Sequence, residues 1–443
     1  MRKLVIGLLA AGCLIPDLAS ATNGYFTHGN GLKAKGRAGV ATAFAEDAFG
    51  GANNPATMVF VGNRIDFGAD LFSPRREASR FGSGVGIDGS ADSGSNYFVI
   101  PEFGYNRMMN PNLSLGVTIY GNGGMNTDYP GGQIPSGTAC GPAPAGFNPA
   151  PGPYNLLCGN GRLGVDYMQL FVAPTLSYKI APNHSIGISP LIALHRFSVE
   201  GLQAFDNPGF STAPGNVTNR GHDISWGYGV RIGYYGQLSN TVSVGAAYSS
   251  KVRMGEFDDY RGLFAEQGDF DVHENYNVGI AVKATPKLTL AMDYQRINNG
   301  GTKSVGNPNS FLLQCLGGNP AFCLGGSNGA GFGWHDINVW KFGLEYQYNK
   351  ELTLRGGFSH SDNPIKGQDV TLNILAPGVI KNHASLGFTY TTKSGGELTM
   401  TYTHAFSNSV TAPSFFNNFG FPAGSETIKM YQNTFGIAYG WKM

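Results

Sequence analysis

The sequence predicts an all-β chain, a transmembrane antiparallel β-barrel of about 14 strands. Three observations predict it. After residue 63 large apolar residues recur at every second position, giving each segment one greasy face and one small or polar face. Charged residues make up only 13% of the chain, against ~25% in typical soluble domains, too few to cover a water-exposed surface. The connections alternate strictly between short turns and long loops, as in barrels with tight periplasmic turns at one rim and long external loops at the other. A mean hydropathy of −0.13, with no run of ~20 consecutive apolar residues, excludes a helical membrane bundle. Aromatic residues at 12% exclude disorder. The balance of 30 Lys+Arg against 29 Asp+Glu, without a basic block, leaves no footprint for nucleic acid.

In chain order, residues 1–21 read as a signal peptide. Arg2 and Lys3 form the basic start, Leu4 to Ile15 a short apolar run, and Ala19-Ser20-Ala21 the cleavage site, so the mature chain is expected to begin at Thr22. A lipoprotein signal at Cys13 is the weaker reading, because Ala10 stands where a branched aliphatic is usual. Export implies an oxidising compartment. There Cys140 is expected to pair with Cys158 and Cys315 with Cys323, each pair closing a Gly/Pro/Asn-rich stretch. No Cys-x-x-Cys spacing occurs, and neither a metal nor a cofactor is expected.

Residues 22–62 lack strand alternation. They carry Gly24-Tyr25-Phe26, the small-residue stretch Gly36-Arg37-Ala38-Gly39-Val40-Ala41-Thr42-Ala43, the acidic pair Glu46-Asp47 and Asn54-Pro55-Ala56. Fourteen strand segments follow: 63–73, 96–107, 111–121, 163–181, 184–205, 223–238, 240–253, 271–284, 287–297, 335–349, 351–361, 381–391, 396–406 and 429–442. The last is typical, with Phe435, Ile437, Tyr439 and Trp441 against Gly436, Ala438 and Gly440; 226–234, 288–295 and 340–348 repeat it. Short turns such as Ala181-Pro182-Asn183 and Thr285-Pro286 follow even segments, and strand starts recur after them, as in Asn112-Leu113-Ser114-Leu115 and Glu351-Leu352-Thr353-Leu354. Pro101, Pro174 and Pro190 fall inside strands, where a missing N–H requires a bulge or a broken ladder. Tyr120, Tyr178, Tyr248, Tyr294, Tyr348 and Tyr390 are placed at headgroup depth. Alternation turns Asp66, Asp70, Glu102, Arg231, Lys283, Asp293, Lys341, Glu345 and Arg355 inward, and their mixed signs predict ion-pair cross-links rather than a filter.

The N-terminal order of motifs, with Gly36, Ala38, Gly39, Ala41, Asp47, Ala48, Asn54, Pro55 and Ala56 in place before fourteen strands, resembles the FadL family of outer-membrane transporters for long-chain fatty acids and other hydrophobic compounds, including its aromatic-hydrocarbon branch. The resemblance implies a barrel (63–443) plugged by an N-terminal hatch (22–62), an apolar lumen pocket, and lateral release at a kink of the third strand. In segment 111–121 Gly116 is the candidate lateral gate. Tyr25, Phe26, Phe44, Phe49, Met58 and Phe60 are candidate ligand contacts, and Asn54-Pro55-Ala56 a structural turn. Expected partners are a hydrophobic small molecule or fatty acid, outer-membrane lipid and lipopolysaccharide, and the barrel-assembly machinery, with the protein a monomer. The alternatives are an open general porin and a barrel-embedded lipase. The latter finds no Gly-x-Ser-x-Gly or His-Glu-x-x-His, and no enzyme is expected.

Overall fold

A strand that is apolar on one face in lipid must pair every backbone group, and closing the sheet removes its edges. The computed structural model, which describes residues 23–141 and 147–443, shows this closure. The predicted signal peptide and Thr22 lie outside the described residues.

Fourteen long strands form the wall: β1 Arg64–Phe81, β2 Phe98–Asn110, β3 Leu113–Tyr129, β4 Leu163–Ala181, β5 His184–Glu200, β6 Asp223–Gln237, β7 Val242–Ser249, β8 Asn275–Lys283, β9 Leu288–Ile297, β10 Ile337–Gln347, β11 Leu352–Ser361, β12 Asn382–Thr391, β13 Glu397–Pro413 and β14 Ser425–Lys442. Each pairs antiparallel with its neighbour in sequence. β14 returns to β1, from Arg64 opposite Lys442 to Phe81 opposite Ser425. Two short ribbons, Gly89–Asp92 on β1 and Arg253–Met254 on β6, extend the sheet at its loop end.

The outward residues Phe67, Leu71, Ile188, Ile232, Ile280, Leu344 and Ile437 are exposed, as a lipid-facing belt requires, while Asp66, Asp70, Glu102, Arg231, Asp293, Lys341 and Arg355 are buried inside. Lys283 departs from the expectation. It ends β8 at the turn rim and is exposed to solvent. Tyr120 also departs. It shares the inward parity of Ser114 and Thr118, is buried, and meets Arg231 rather than headgroups.

Several strands outrun their predicted ends. β1 continues to Phe81, β3 to Tyr129 and β13 to Pro413, whereas β5 stops at Glu200. Beyond the hydrocarbon zone the outer face has no need of apolar residues. Pro74-Arg75-Arg76-Glu77 thus keeps its ladder to β14 after hydrophobic alternation has ended. The prolines sit where an N–H is dispensable. Pairing between β4 and β5 lapses between Val172/Ile192 and Leu176/Ile188, the stretch holding Pro174 and Pro190, and the Thr175 and Ser189 hydroxyls bridge it at 2.8 Å. Both cysteine pairs form as expected, Cys140–Cys158 and Cys315–Cys323, in the external loops.

Candidate functional site

Residues 23–62 lie inside the ring, most of them buried and none exposed. One short helix, α1 (Leu32–Gly36), carries Lys33 and Lys35, with Arg37 just past its end. Positions two apart on a helix diverge by roughly 200°, so neighbouring cations face different walls. Lys33 reaches Glu397 on β13 at 2.6 Å. Lys35 meets Asp70 on β1 and Glu102 on β2, and Arg37 meets Glu46 and, at 2.7 Å, Glu345 on β10. Arg64 and Arg355 extend the lattice to Asp66, Glu397 and Glu345. Burial works against the Lys35 ammonium, but Asp70 and Glu102 outweigh it and hold it above its ordinary value.

The small-residue stretch passes under β9, where Asp293 Oδ2 accepts the Ala41 and Thr42 amides, both at 2.9 Å. Gly39 has φ +85°, and a Cβ there would lie 1.8 Å from the His28 carbonyl oxygen, so only glycine fits. Gly36 packs near Gly387 of β12, and Ala38 takes a left-handed φ of 54°. Asn54 caps the 3₁₀ turn Pro55–Phe60 by accepting the Ala56 amide, while its Nδ2 donates to the carbonyls of Thr42 and Tyr234. The Ala56 carbonyl accepts from Ser177 and Ser185. Asn54-Pro55-Ala56 therefore fastens the hatch to β4, β5 and β6.

The wall breaks beside this plug. β2 and β3 pair only as far as Phe103 opposite Ile119. Phe98 to Glu102 continue against β1 alone, and Tyr120 to Tyr129 against β4 alone. The β3–β4 register slips between Gly121 and Gly123, placing Asn122 in a bulge. From Asn122 to Met125 every residue is buried, whereas a strand in the wall would alternate. Met168, on the outward parity of β4, clusters with Phe72, Phe98 and Ile100, which have the inward parity of β1 and β2. Outward and inward faces can meet in this way only where β3 turns inside the ring. Pro101, with no N–H to leave unpaired, sits on the freed edge of β2. Gly116 lies six residues earlier, in regular register with Asn106 and Thr175.

The bulge is bonded to the N-terminal segment: the Gly124 amide donates to the Tyr25 carbonyl at 3.1 Å, and the Thr27 amide to the Asn122 carbonyl at 3.2 Å. A Cβ on Gly123 would lie 2.1 Å from the Tyr25 oxygen, so the close approach needs glycine.

Two cavities flank this segment. Towards the loops, a small apolar chamber is lined by side chains such as Val165, Phe197, Phe264, Leu324, Phe332 and Leu375. On the other side a small polar chamber is lined by Asn53, Asn122, Arg231, Asp293, Gln295 and Lys341, with Phe26 at its edge. Between them stands an aromatic barrier. Tyr25 stacks on Phe26 (5.2 Å), lies edge-on to Tyr167 (6.1 Å), and is flanked by His273 (4.8 Å) and Trp334 (5.9 Å). Tyr167 in turn meets Phe197 of the apolar chamber at 6.2 Å. Burial raises the Tyr25 phenol well above its ordinary value and pushes His273 down to about 3, so both stay neutral.

Of the predicted contacts, Tyr25 and Phe26 fall on the barrier. Phe44 lies under the Arg37 guanidinium at 3.7 Å, Phe49 packs on Gly31 within the hatch, Met58 packs on Gly50 and reaches Gly116 of β3, and Phe60 packs on Tyr235 at 5.3 Å near Lys179. Tyr167, Gln169, His195, Phe197, Phe270 and His273 were not anticipated at the site. The signal available was parity, since Tyr167 and Gln169 of β4 and His195 and Phe197 of β5 share the inward parity of their strands.

Against known proteins, the family described as "Outer membrane protein transport protein (OMPP1/FadL/TodX)" matches residues 163–418. No curated protein matches the sequence. Similar solved structures include the P. putida toluene transporter TodX (16% identity, 94% of this chain and 99% of that one, TM-score 0.65). The Ralstonia pickettii toluene transporter TbuX (16%, 94% and 99%, 0.62) and a Pseudomonas aeruginosa FadL homologue (14%, 95% and 99%, 0.66) are also similar. At such identities the likeness speaks for the fold.

Proposed function

The chain belongs to the OMPP1/FadL/TodX family of outer membrane transport proteins, and from that premise we propose that it passes a hydrophobic compound from the external loops through the apolar chamber and sideways into the membrane at the bulge of β3. The cargo is a long-chain fatty acid or a hydrocarbon of similar apolarity. TodX and TbuX are toluene transporters, which supports a cargo of that kind. The observation that carries the reading is the inside-out packing of Met168 on Phe72, Phe98 and Ile100, an apolar seam through the wall where the ladder is absent.

Physical chemistry favours this exit over the barrel axis. Each Å² of apolar surface kept from water contributes about 25 cal/mol. The apolar chamber and the seam supply such surface, whereas the axial path enters a chamber of amides and charges that a hydrocarbon would have to desolvate. The seam then opens onto hydrocarbon. The gate lies at Gly121 to Gly124, where β3 leaves the wall.

A reversible staple tests it. A Cβ built on Gly121 lies 2.9 Å from Ile100 Cγ2, so cysteines at 100 and 121 come within disulfide reach. Ile100→Cys/Gly121→Cys protein in lipid vesicles should deliver N-phenyl-1-naphthylamine to the bilayer when reduced and lose delivery when oxidised, with equally treated wild type unaffected. Undiminished delivery by the oxidised, correctly folded variant would overturn lateral exit.

A further inference from the structure

A buried polar string runs from the wall break to the aromatic barrier. Asn122 in the bulge donates from Nδ2 to Gln169 Oε1 at 2.8 Å. Gln169 Nε2 donates to the Tyr167 hydroxyl at 2.6 Å, and that hydroxyl lies 3.0 Å from His195 Nδ1. All four residues are at least nine-tenths buried, and the Gln169 amide spends one end on the bulge and the other on the barrier. Such groups in an apolar surround are costly unless paired, so the string holds each member in one orientation. Tyr167 stands edge-on to Tyr25 and touches the ring of Phe197, which lines the apolar chamber. A ligand leaving that chamber toward the bulge has to displace Tyr167.

We propose that Gln169 is the positioning residue that couples the aromatic barrier to the wall break. With no ligand its amide holds Asn122 in the bulge and Tyr167 across the route. A ligand that pushes Tyr167 aside takes away the partner of Gln169 Nε2 and frees Gln169 to turn from Asn122, so the bulged segment of β3 loosens when cargo has reached it. The inference rests on lateral exit, but it assigns a coupling that the exit alone does not require.

The test uses Gln169→Leu, Tyr167→Phe and the double variant in the same vesicle assay with N-phenyl-1-naphthylamine. Without the latch, opening no longer waits for displacement of Tyr167. Each single variant should raise the maximal delivery rate about fivefold, the scale of one net hydrogen bond, with half-saturation within about twofold of wild type. The double variant should match the singles, because one string is cut in either case. A purely structural role would lower thermal stability while leaving the rate alone. Should Gln169→Leu fail to fold, Tyr167→Phe keeps the ring and decides the matter. Unchanged rates in folded variants, or single effects that add, would overturn the coupling. If the stapled Ile100→Cys/Gly121→Cys protein still blocks delivery when oxidised, that failure belongs to the coupling and lateral exit stands.

Discussion

Asp47 sits at the base of the hatch between Glu46 and Asp66, and burial first, then those two charges, raises its carboxyl to about 7. Glu46 beside it is the reverse case. Burial opposes its charge, but Arg37 and Arg355 outweigh burial and hold it down at about 2. The two contributions have opposite pH dependence. The Asp47 value is raised in the folded state, so its stabilisation is complete below about pH 4 and is lost as pH rises towards 7. The Glu46 contribution is present above its ordinary range and is lost only as pH falls towards 2. Of the two, Asp47 prevails between pH 4 and 7, and Asp269, which burial and then Asp271 also raise to about 7, acts in the same sense. We expect the thermal midpoint of the wild type to fall over that window and Asp47→Asn to flatten the fall, as read by calorimetry from pH 4 to 8. Residue identities at this scale were partly legible. Gly36, Gly39 and Asn54 announce the hatch by type and order, whereas Tyr167, Gln169 and His195 do not announce the string. Alternation gives the face of a residue, but its depth depends on strand register, and register carries no local periodicity.

Among the elements, α1 and β3 do most to position the proposed route. α1 owes its place to cations that face different walls, and a buried pair broken on one side is strongly unfavourable. Lys35→Met would strand Asp70 and Glu102 without their countercharge. It should weaken attachment of the hatch by about 3 to 5 kcal/mol and raise ion conductance in planar bilayers. Conductance equal to wild type would show that the lattice is not what seats the plug. The fourteen strands were legible because lipid enforces period two along the belt. Their external ends were not, since above the membrane that demand lapses. The bulge of β3 was hidden for a related reason: Gly121-Asn122-Gly123-Gly124 suits a loop entry as well as a strand turning inward, and only contacts with Tyr25 and Thr27 distinguish them.

For the whole molecule, the closed ladder, the hatch and the two chambers describe one division of space. Outside the ring the surface is apolar for lipid; inside, an apolar compartment faces the loops and a polar one lies beyond the aromatic barrier. An apolar solute that enters from the loops thus meets two apolar surfaces, one running from Phe197 past Tyr167 to Tyr25 and the other the seam at Phe98, Ile100 and Met168, with the polar link of Asn122 and Gln169 joining them. The most direct measurement is to locate a heavy-atom cargo surrogate by anomalous scattering in crystals soaked with bromobenzene. Lateral exit through the seam predicts bromine peaks in the apolar chamber and at the seam of β2, β3 and β4. Peaks confined to the polar chamber around Asp293 and Lys341, with none at the seam, would contradict it.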